Sequence, residues 1–293
     1  MSESPLHAML RQHMPGIPER DLDRFAASLS VEEPYAAPPV DEVVPSGSLS
    51  VRRHRSTAVY PGVERSYTVY APYQYEASEE TALMVFQDGA RYLGPEANTA
   101  RVLDSLIARG DLPPIVAVFA EPGETGPGLP VYGGAGNRSL EYDSGGDTYA
   151  RFLMEELLPE ALAGLRVAND PARRAIAGIS SGGHCAFNAA WERPEAFGRV
   201  LSHCGSFVDI RGGHACAARV RREPVKPLRV FLQSGAHDLD ILYGSWMLAN
   251  RDLAAALAYR GYPHRLVLGE GGHSLRHGGA ILADSLRWLW ADD

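Results

Sequence analysis

The 293-residue sequence has few cysteines, no long apolar run and no excess of positive charge, and each lack excludes a class of protein. Its three cysteines are too few and odd in number for a disulfide framework, and no C-x-x-C pair indicates a zinc site. No run approaches the ~18 apolar residues of a transmembrane helix, and the first residues lack the pattern of a secretory signal. With 28 basic against 36 acidic residues, the net charge of −8 argues against general nucleic-acid affinity. We therefore expect a cytoplasmic protein that binds neither membranes nor nucleic acid.

The chain divides at about residue 47. Residues 1–47 are rich in proline and have one short helical pattern at Asp21–Leu29, so they predict an irregular arm. Such an arm is a candidate contact with a second copy of the chain. Residues 48–293 predict a single domain, which begins with an antiparallel hairpin because apolar and polar residues alternate from Leu49 to Tyr70 on both sides of Pro61-Gly62.

Short apolar runs alternate with amphipathic stretches in the rest of the domain. The runs are Leu83–Phe86, Ile115–Phe119, Ala175–Ile179, Val200–Ser202, Leu228–Leu232 and Leu266–Leu268, and the stretches are Ala97–Arg109, Thr148–Ala163, Ser181–Arg193, Trp246–Arg260 and Gly279–Trp290. Buried strands that alternate with amphipathic helices predict an α/β fold with a mainly parallel, doubly wound sheet. The long glycine-rich connection Glu121–Asp147 is a candidate active-site loop.

A G-x-S-x-G motif, formed by Gly178, Ser180 and Gly182, lies between a predicted strand and a predicted helix. In this context the serine sits on a sharp turn with its hydroxyl projecting above the sheet, as a nucleophile requires. The alternative, a plain Gly/Ser turn, is disfavoured because the strand precedes the motif and the helix follows it. Ser180 is therefore the predicted nucleophile.

A serine nucleophile needs a base and an acid. In the kind of sheet predicted here, the acid follows the serine in the chain and the histidine follows the acid. His273 lies on a glycine-rich loop after the last predicted strand, although His264 and His277 are close in sequence. Asp238 is the first choice for the acid and Asp240 the second, because both follow the run Leu228–Leu232 and spacing does not separate them. A cap or turn role remains open for either aspartate.

The oxyanion of an acyl-transfer intermediate needs preorganised N–H donors. One predicted donor is the backbone of Ser181, immediately after the nucleophile. The other comes from the loop after an earlier strand, where Gly89 and Ala90 are the candidates.

The chain resembles the enterochelin esterase and esterase D-like branch of the α/β-hydrolases, which includes feruloyl and acetylxylan esterases. The resemblance runs from about Leu49 to Trp290. It is carried by the segments at 86–89 (FQDG), 137–143 (NRSLEYD), 178–183 (GISSGG) and 269–274 (GEGGHS). It implies an α/β-hydrolase fold and a serine esterase without metal or cofactor, in which Ser180 is the nucleophile, His273 the base and Asp238 or Asp240 the acid.

The same resemblance makes Arg138, Glu141 and Tyr142 candidates for substrate binding or for bracing the site. A pocket for an aromatic or anionic ester is predicted from Arg138, Tyr132 and Tyr142 on the glycine-rich loop, with Arg91, Tyr92 and Trp246 near other strand ends. A salt-bridged loop remains the alternative for Arg138, Glu141 and Tyr142.

We therefore predict a serine carboxylester hydrolase that acts through an acyl-enzyme on a small-molecule ester. The alternatives are a feruloyl or acetyl esterase for small sugar esters, an acyltransferase, and a non-catalytic binding protein on the same fold. A zinc site is disfavoured, because His273 and His277 have no third ligand at a suitable spacing.

Overall fold

The computed structural model describes residues 4–13, 17–39, 43–124 and 137–291. Part of the predicted active-site loop, residues 125–136 with Tyr132, lies outside the described residues. The strands are β1 (Ser48–Arg55), β2 (Glu64–Ala71), β3 (Ala82–Gln87), β4 (Ile115–Ala120), β5 (Arg174–Ile179), β6 (Arg199–His203), β7 (Arg229–Gly235), β8 (Asp240–Ile241), β9 (Gly244–Ser245) and β10 (His264–Gly269).

Among the described residues, eight of these strands form one sheet in the order β1-β2-β4-β3-β5-β6-β7-β10, and β8 pairs with β9 separately. Strands β1 and β2 form an antiparallel hairpin, β2 lies antiparallel to β4, and the other pairs are parallel. The prediction of a mainly parallel α/β-hydrolase sheet with an N-terminal antiparallel hairpin is thus confirmed.

The helices cover both faces of this sheet. They are α1 (Pro5–His13), α2 (Glu19–Leu29), α3 (Gly89–Leu93), α4 (Thr99–Ala108), α5 (Arg138–Tyr142), α6 (Thr148–Phe152), α7 (Leu158–Ala161), α8 (Ser181–Glu192), α9 (Cys216–Arg222), α10 (Trp246–Tyr259), α11 (Arg276–Ala280) and α12 (Leu282–Trp290). Two large apolar clusters lie on the opposite faces of the sheet, and β3, β4 and β5 are buried along their whole length. No helix of the described ranges has both the length and the apolar character needed to cross a bilayer.

The helix predicted at Thr148–Ala163 is interrupted. A π-helical turn, Leu153–Leu157, separates α6 from α7. Pro159 stands two residues after this turn, has no N–H to offer the carbonyl four residues earlier, and crowds that carbonyl with its ring. A widened turn relieves both effects and keeps the amphipathic face on the sheet.

The arm is more ordered than the proline content suggested. The sequence indicated one helical pattern before residue 47, and the structure has two helices there, α1 and α2. Phe25 and Leu22 of α2 pack with Leu239, Ile241 and the buried Trp246 of the sheet domain. The arm therefore packs against its own chain, and its contact with a second copy stays a prediction.

Candidate active site

The carboxyl ends of the parallel strands bring the predicted site residues to one edge of the sheet. Ser180 connects β5 directly to α8, with backbone angles φ 58° and ψ −124° that a side-chain-bearing residue rarely adopts. The sharp turn leaves no room at Gly178, where a Cβ atom would stand 2.1 Å from the carbonyl oxygen of Gly182. The flanking glycine of the G-x-S-x-G motif is thus required by the close approach of strand and helix.

Ser180, His273 and Asp238 form a continuous hydrogen-bonded chain. Ser180 Oγ donates to His273 Nε2 at 2.9 Å, and His273 Nδ1 donates to Asp238 Oδ1 at 2.6 Å. All three residues are buried. Since a carboxylate only accepts hydrogen bonds, this arrangement puts the imidazole proton on Nδ1 and leaves the Nε2 lone pair facing the serine hydroxyl.

Asp238 and Asp240 have different surroundings, although they are two residues apart. Asp238 Oδ2 accepts from Ser234 Oγ at 2.7 Å, and Oδ1 also accepts from the Leu239 N–H at 2.8 Å, which fixes the carboxylate against His273. The Asp240 side chain is 68% exposed and contacts Arg24 of α2 at 3.3 Å. The structure therefore brings Asp238 to His273 and leaves Asp240 at the surface.

Ser206 is a contact of the nucleophile that the sequence analysis missed. Its Oγ lies 3.2 Å from Ser180 Oγ, and it accepts a hydrogen bond from Trp246 Nε1 at 2.9 Å. Because an indole N–H only donates, the hydroxyl proton of Ser206 is left for Ser180 Oγ. The sequence could have indicated this contact, because Ser206 lies just after the buried run Val200–Ser202 and therefore at the same sheet edge as the nucleophile.

The oxyanion candidates Gly89 and Ala90 follow β3 as the first residues of α3, which contacts β4. A Cβ atom on Gly89 would stand 2.5 Å from the main chain of Phe119, so only glycine fits there. The Ala90 N–H is already engaged, because it donates to Glu121 Oε1 at 2.5 Å. Burial raises the pKa of the Glu121 carboxyl above its ordinary value.

Ser181 provides the other oxyanion candidate at the first position of α8, next to Ser180. The two candidate donors lie on adjoining segments, because the α8 residue Gly182 approaches the loop after β3. A Cβ atom on Gly182 would stand 2.9 Å from Asp88 Oδ2.

Arg138 is bound by Asp88 through two parallel hydrogen bonds. Nε donates to Oδ1 at 2.8 Å and Nη2 donates to Oδ2 at 2.7 Å, and the two side chains are only 12% and 7% exposed. Asp88 itself has a left-handed φ of 55° and immediately precedes Gly89. The Arg138 charge is thus neutralised within the protein, so the structure removes the basis for expecting it to recognise an anionic ester.

Glu141 and Tyr142 also face inward. The Glu141 carboxylate forms a fully buried ion pair with Arg65 at 2.6 and 2.8 Å. Tyr142 has no exposed surface, and burial raises its pKa well above the ordinary value. Of the two roles expected for Arg138, Glu141 and Tyr142, these contacts support bracing of the site rather than contact with substrate.

Within the described ranges, one group of three side chains could supply metal ligands. The ligand atoms of Cys204, Asp238 and His273 lie within 4.8 Å of one another. Burial raises the pKa of the Cys204 thiol well above its ordinary value, whereas metal binding needs the thiolate. His277, the second histidine considered for zinc, instead contacts Gln233 Nε2 at 3.1 Å and stacks on Tyr35.

Comparison with known proteins identifies a family from the sequence and similar folds among solved structures. The family model described as "Esterase: Putative esterase" matches residues 58–289. A curated Iron(III) enterobactin esterase from Dickeya dadantii is 27% identical over 226 residues, which cover 72% of this chain and 48% of the relative. The chain thus spans about half the length of the curated relatives that it matches.

Solved structures with the same fold include two enzymes that were determined with small molecules. The enterobactin esterase from Shigella flexneri in the presence of 2,3-di-hydroxy-N-benzoyl-serine has a TM-score of 0.66 at 24% identity, covering 87% of this chain and 61% of that one. A ferulic acid esterase from Anaeromyces mucronatus in complex with ferulic acid also has a TM-score of 0.66, at 14% identity, covering 89% of this chain and 98% of that one.

Proposed function

Given that this chain belongs to the esterase family, we propose that it is a serine carboxylester hydrolase that acts through an acyl-enzyme on a small-molecule ester. The observation that carries the proposal is the hydrogen-bonded chain from Ser180 Oγ through His273 to Asp238, with distances of 2.9 and 2.6 Å. A serine at a strained strand-to-helix turn, a histidine within reach and a buried acid behind it are the parts that ester hydrolysis requires. Free, buried cysteines support a cytoplasmic location, as expected from the sequence.

In the first half of the reaction, Ser180 Oγ attacks the ester carbonyl carbon while its proton passes to His273 Nε2. Asp238 stabilises the imidazolium that results, and it is oriented for this by Ser234 and by the Leu239 N–H. The Ser206 hydroxyl donates to Ser180 Oγ, which favours one rotamer of the nucleophile and stabilises negative charge developing on its oxygen.

The carbonyl oxygen becomes negatively charged in the tetrahedral intermediate and needs N–H donors. We assign this role to the Ser181 N–H and to the Gly89–Ala90 segment. The Ala90 N–H donates to Glu121 in this structure, so its role as an oxyanion donor requires that the Glu121 carboxylate move away from it. Collapse of the intermediate breaks the ester C–O bond, His273 gives its proton to the leaving alcohol, and water then repeats the sequence to release the acid and regenerate Ser180.

For the substrate class we propose esters whose acid part carries an aromatic ring. Support comes from the relatives, because the two solved structures named above were determined with a benzoyl compound and with ferulic acid. The anionic character expected from Arg138 is not part of this proposal, because Asp88 binds that guanidinium.

The proposal is tested with a fluorophosphonate probe and intact-mass detection, followed by turnover of p-nitrophenyl acetate and of an ester of an aromatic acid, methyl ferulate. The parent protein should label once per chain and hydrolyse both esters, and Ser180→Ala should do neither. Added alcohols distinguish hydrolysis from acyl transfer, since a transferase would form a new ester in preference to the free acid. A folded parent that neither labels nor turns over would favour a non-catalytic binding protein.

A further inference from the structure

The loop that carries His273 lies at an exposed margin of the sheet. It follows β10, which is the last strand in the sheet order and, within the part of the chain that the structure describes, pairs with β7 alone. Unlike the central strands, β10 has residues that are only half-buried. A base that must be held within hydrogen-bond distance of both Ser180 and Asp238 therefore needs support from outside the sheet.

Ser28, on α2 of the arm, contacts both loops that meet at the base. Its Oγ donates to the His237 carbonyl at 2.7 Å, next to Asp238, and accepts from the His273 N–H at 2.9 Å. Ser28 is 6% exposed, so these bonds are shielded from water. One hydroxyl thus joins the acid loop to the base loop at the residues where the two side chains meet.

Neighbouring arm residues hold the same loop at further points. Glu33 Oε1 accepts from the Gly272 N–H at 3.2 Å and from Ser274 Oγ at 2.6 Å, on either side of His273. The ring of Phe25 packs edge-on against the His273 imidazole, with centroids 6.0 Å apart.

The glycines of the base loop fit this contact. A Cβ atom on Gly272 would stand 1.9 Å from the Ser28 carbonyl oxygen, and one on Gly271 would stand 2.8 Å from Glu33 Oε2. The loop therefore lacks side chains where the arm lies closest to it. All of these arm residues precede residue 58, where the match to the family model begins.

We propose that residues 17–39 of the arm are part of the active site and that Ser28 is a positioning residue, which acts through the His273 main chain. This inference rests on the proposed function, because it concerns the placement of that function's base. Ser28 holds the base loop at a fixed distance from the acid loop, so that Nδ1 stays on Asp238 and Nε2 faces Ser180. Glu33 and Phe25 keep the loop from moving outward.

The first test compares Ser28→Ala with Ser30→Ala in the full-length chain, using p-nitrophenyl acetate. Ser30 lies at the end of the same helix and is exposed, so it controls for the loss of a hydroxyl from α2. Ser28→Ala should lower kcat about 10- to 100-fold with KM little changed, because a misplaced base slows chemistry without touching substrate. Ser30→Ala should match the parent, and Ser28→Thr, which keeps the hydroxyl, should recover most of the rate.

A second readout reports the base itself. The proton between His273 Nδ1 and Asp238 should give a low-field ¹H resonance in the parent, and Ser28→Ala should shift or broaden it under conditions where circular dichroism shows both proteins folded. Unchanged kcat and an unchanged resonance in Ser28→Ala would overturn the inference.

If Ser28→Ala fails to fold, Glu33→Ala replaces it, with the exposed neighbour Glu32→Ala as its control. We expect kcat to fall in Glu33→Ala and to stay at the parent value in Glu32→Ala. A kcat of Glu33→Ala equal to that of Glu32→Ala would overturn the inference. Ser180→Ala distinguishes a failure of the proposed function from a failure of the positioning role of Ser28. If it keeps its activity, the proposed function fails, whereas loss of activity there with full activity in Ser28→Ala refutes the positioning role only.

Discussion

Arg138→Ala distinguishes a bracing residue from a substrate-binding one. The change removes the bidentate partner of the Asp88 carboxylate, whose side chain is only 7% exposed in the parent protein. Breaking a buried ion pair by removing one side costs about 3–5 kcal/mol, because the remaining charge stays desolvated. In a domain of this size that corresponds to a fall in melting temperature of roughly 6–20 °C. Adding Asp88→Asn should recover part of the loss, since asparagine carries no charge and tolerates the left-handed backbone found there.

The assay pairs thermal unfolding with turnover of a neutral and an anionic ester, p-nitrophenyl acetate and 4-acetoxybenzoate. Because Asp88 directly precedes Gly89 and Ala90, Arg138→Ala should reduce the turnover of both esters by similar factors. Arg151→Ala, which removes an exposed arginine paired with Glu155, is the matched control and should leave both readouts near the parent. A loss confined to the anionic ester at an unchanged melting temperature would refute the bracing role.

Three further predictions concern the contacts of Ser206 and Glu121 and the burial of His203. Ser206→Ala should lower kcat about tenfold at constant KM, the equivalent of one hydrogen bond of ~1.4 kcal/mol to Ser180 Oγ; an unchanged kcat in steady-state kinetics would show that this bond does not assist attack. Glu121→Ala should raise kcat/KM severalfold by freeing the Ala90 N–H, and a decrease would mean that Ala90 is not an oxyanion donor. Burial lowers the pKa of His203 from 6.5 to about 3, so between these values the unfolded chain binds a proton that the folded chain does not. Its contribution to stability is therefore complete above pH 6.5 and falls by up to ~1.4 kcal/mol per pH unit below it. Urea unfolding from pH 7 to 4.5 should show a shallower decline for His203→Gln, and parallel curves would contradict the burial effect.

The sheet and its main helices were predictable because their signals are local. Uninterrupted apolar runs mark β3, β4 and β5, which are buried on both faces, and a period of three to four residues marks α8 and α10. The common location of the nucleophile, the acid and the base could also be predicted. Each follows a parallel strand, and parallel strands place their carboxyl ends at one edge of the sheet.

What the sequence does not contain is the partner of each polar side chain. Arg138 looks available to a substrate until Asp88, 50 positions earlier, is found bound to it. Asp238 and Asp240 differ because Asp238 ends a turn against the base, whereas Asp240 begins the surface strand β8. Such distinctions depend on contacts between distant parts of the chain, and no periodicity or spacing records them.

The structure of the arm also depends on contacts that the local sequence does not indicate. Its prolines indicated irregular structure, yet Pro18 immediately precedes α2, at a helix start where proline is tolerated. Packing of Phe25 and Leu22 against Trp246 then stabilises the helix. The contact of Ser28 with His273 spans 245 positions, and it follows from that packing rather than from any local motif.

The most direct test of the central claim is to trap the acyl-enzyme. The protein is mixed with p-nitrophenyl acetate, quenched in acid within the first turnover, digested, and analysed by peptide mass spectrometry. The account predicts one acetyl group, on the hydroxyl of Ser180, and none on the same peptide from Ser180→Ala. Acetylation of another residue with undiminished turnover in Ser180→Ala, or turnover without any trapped adduct, would contradict it.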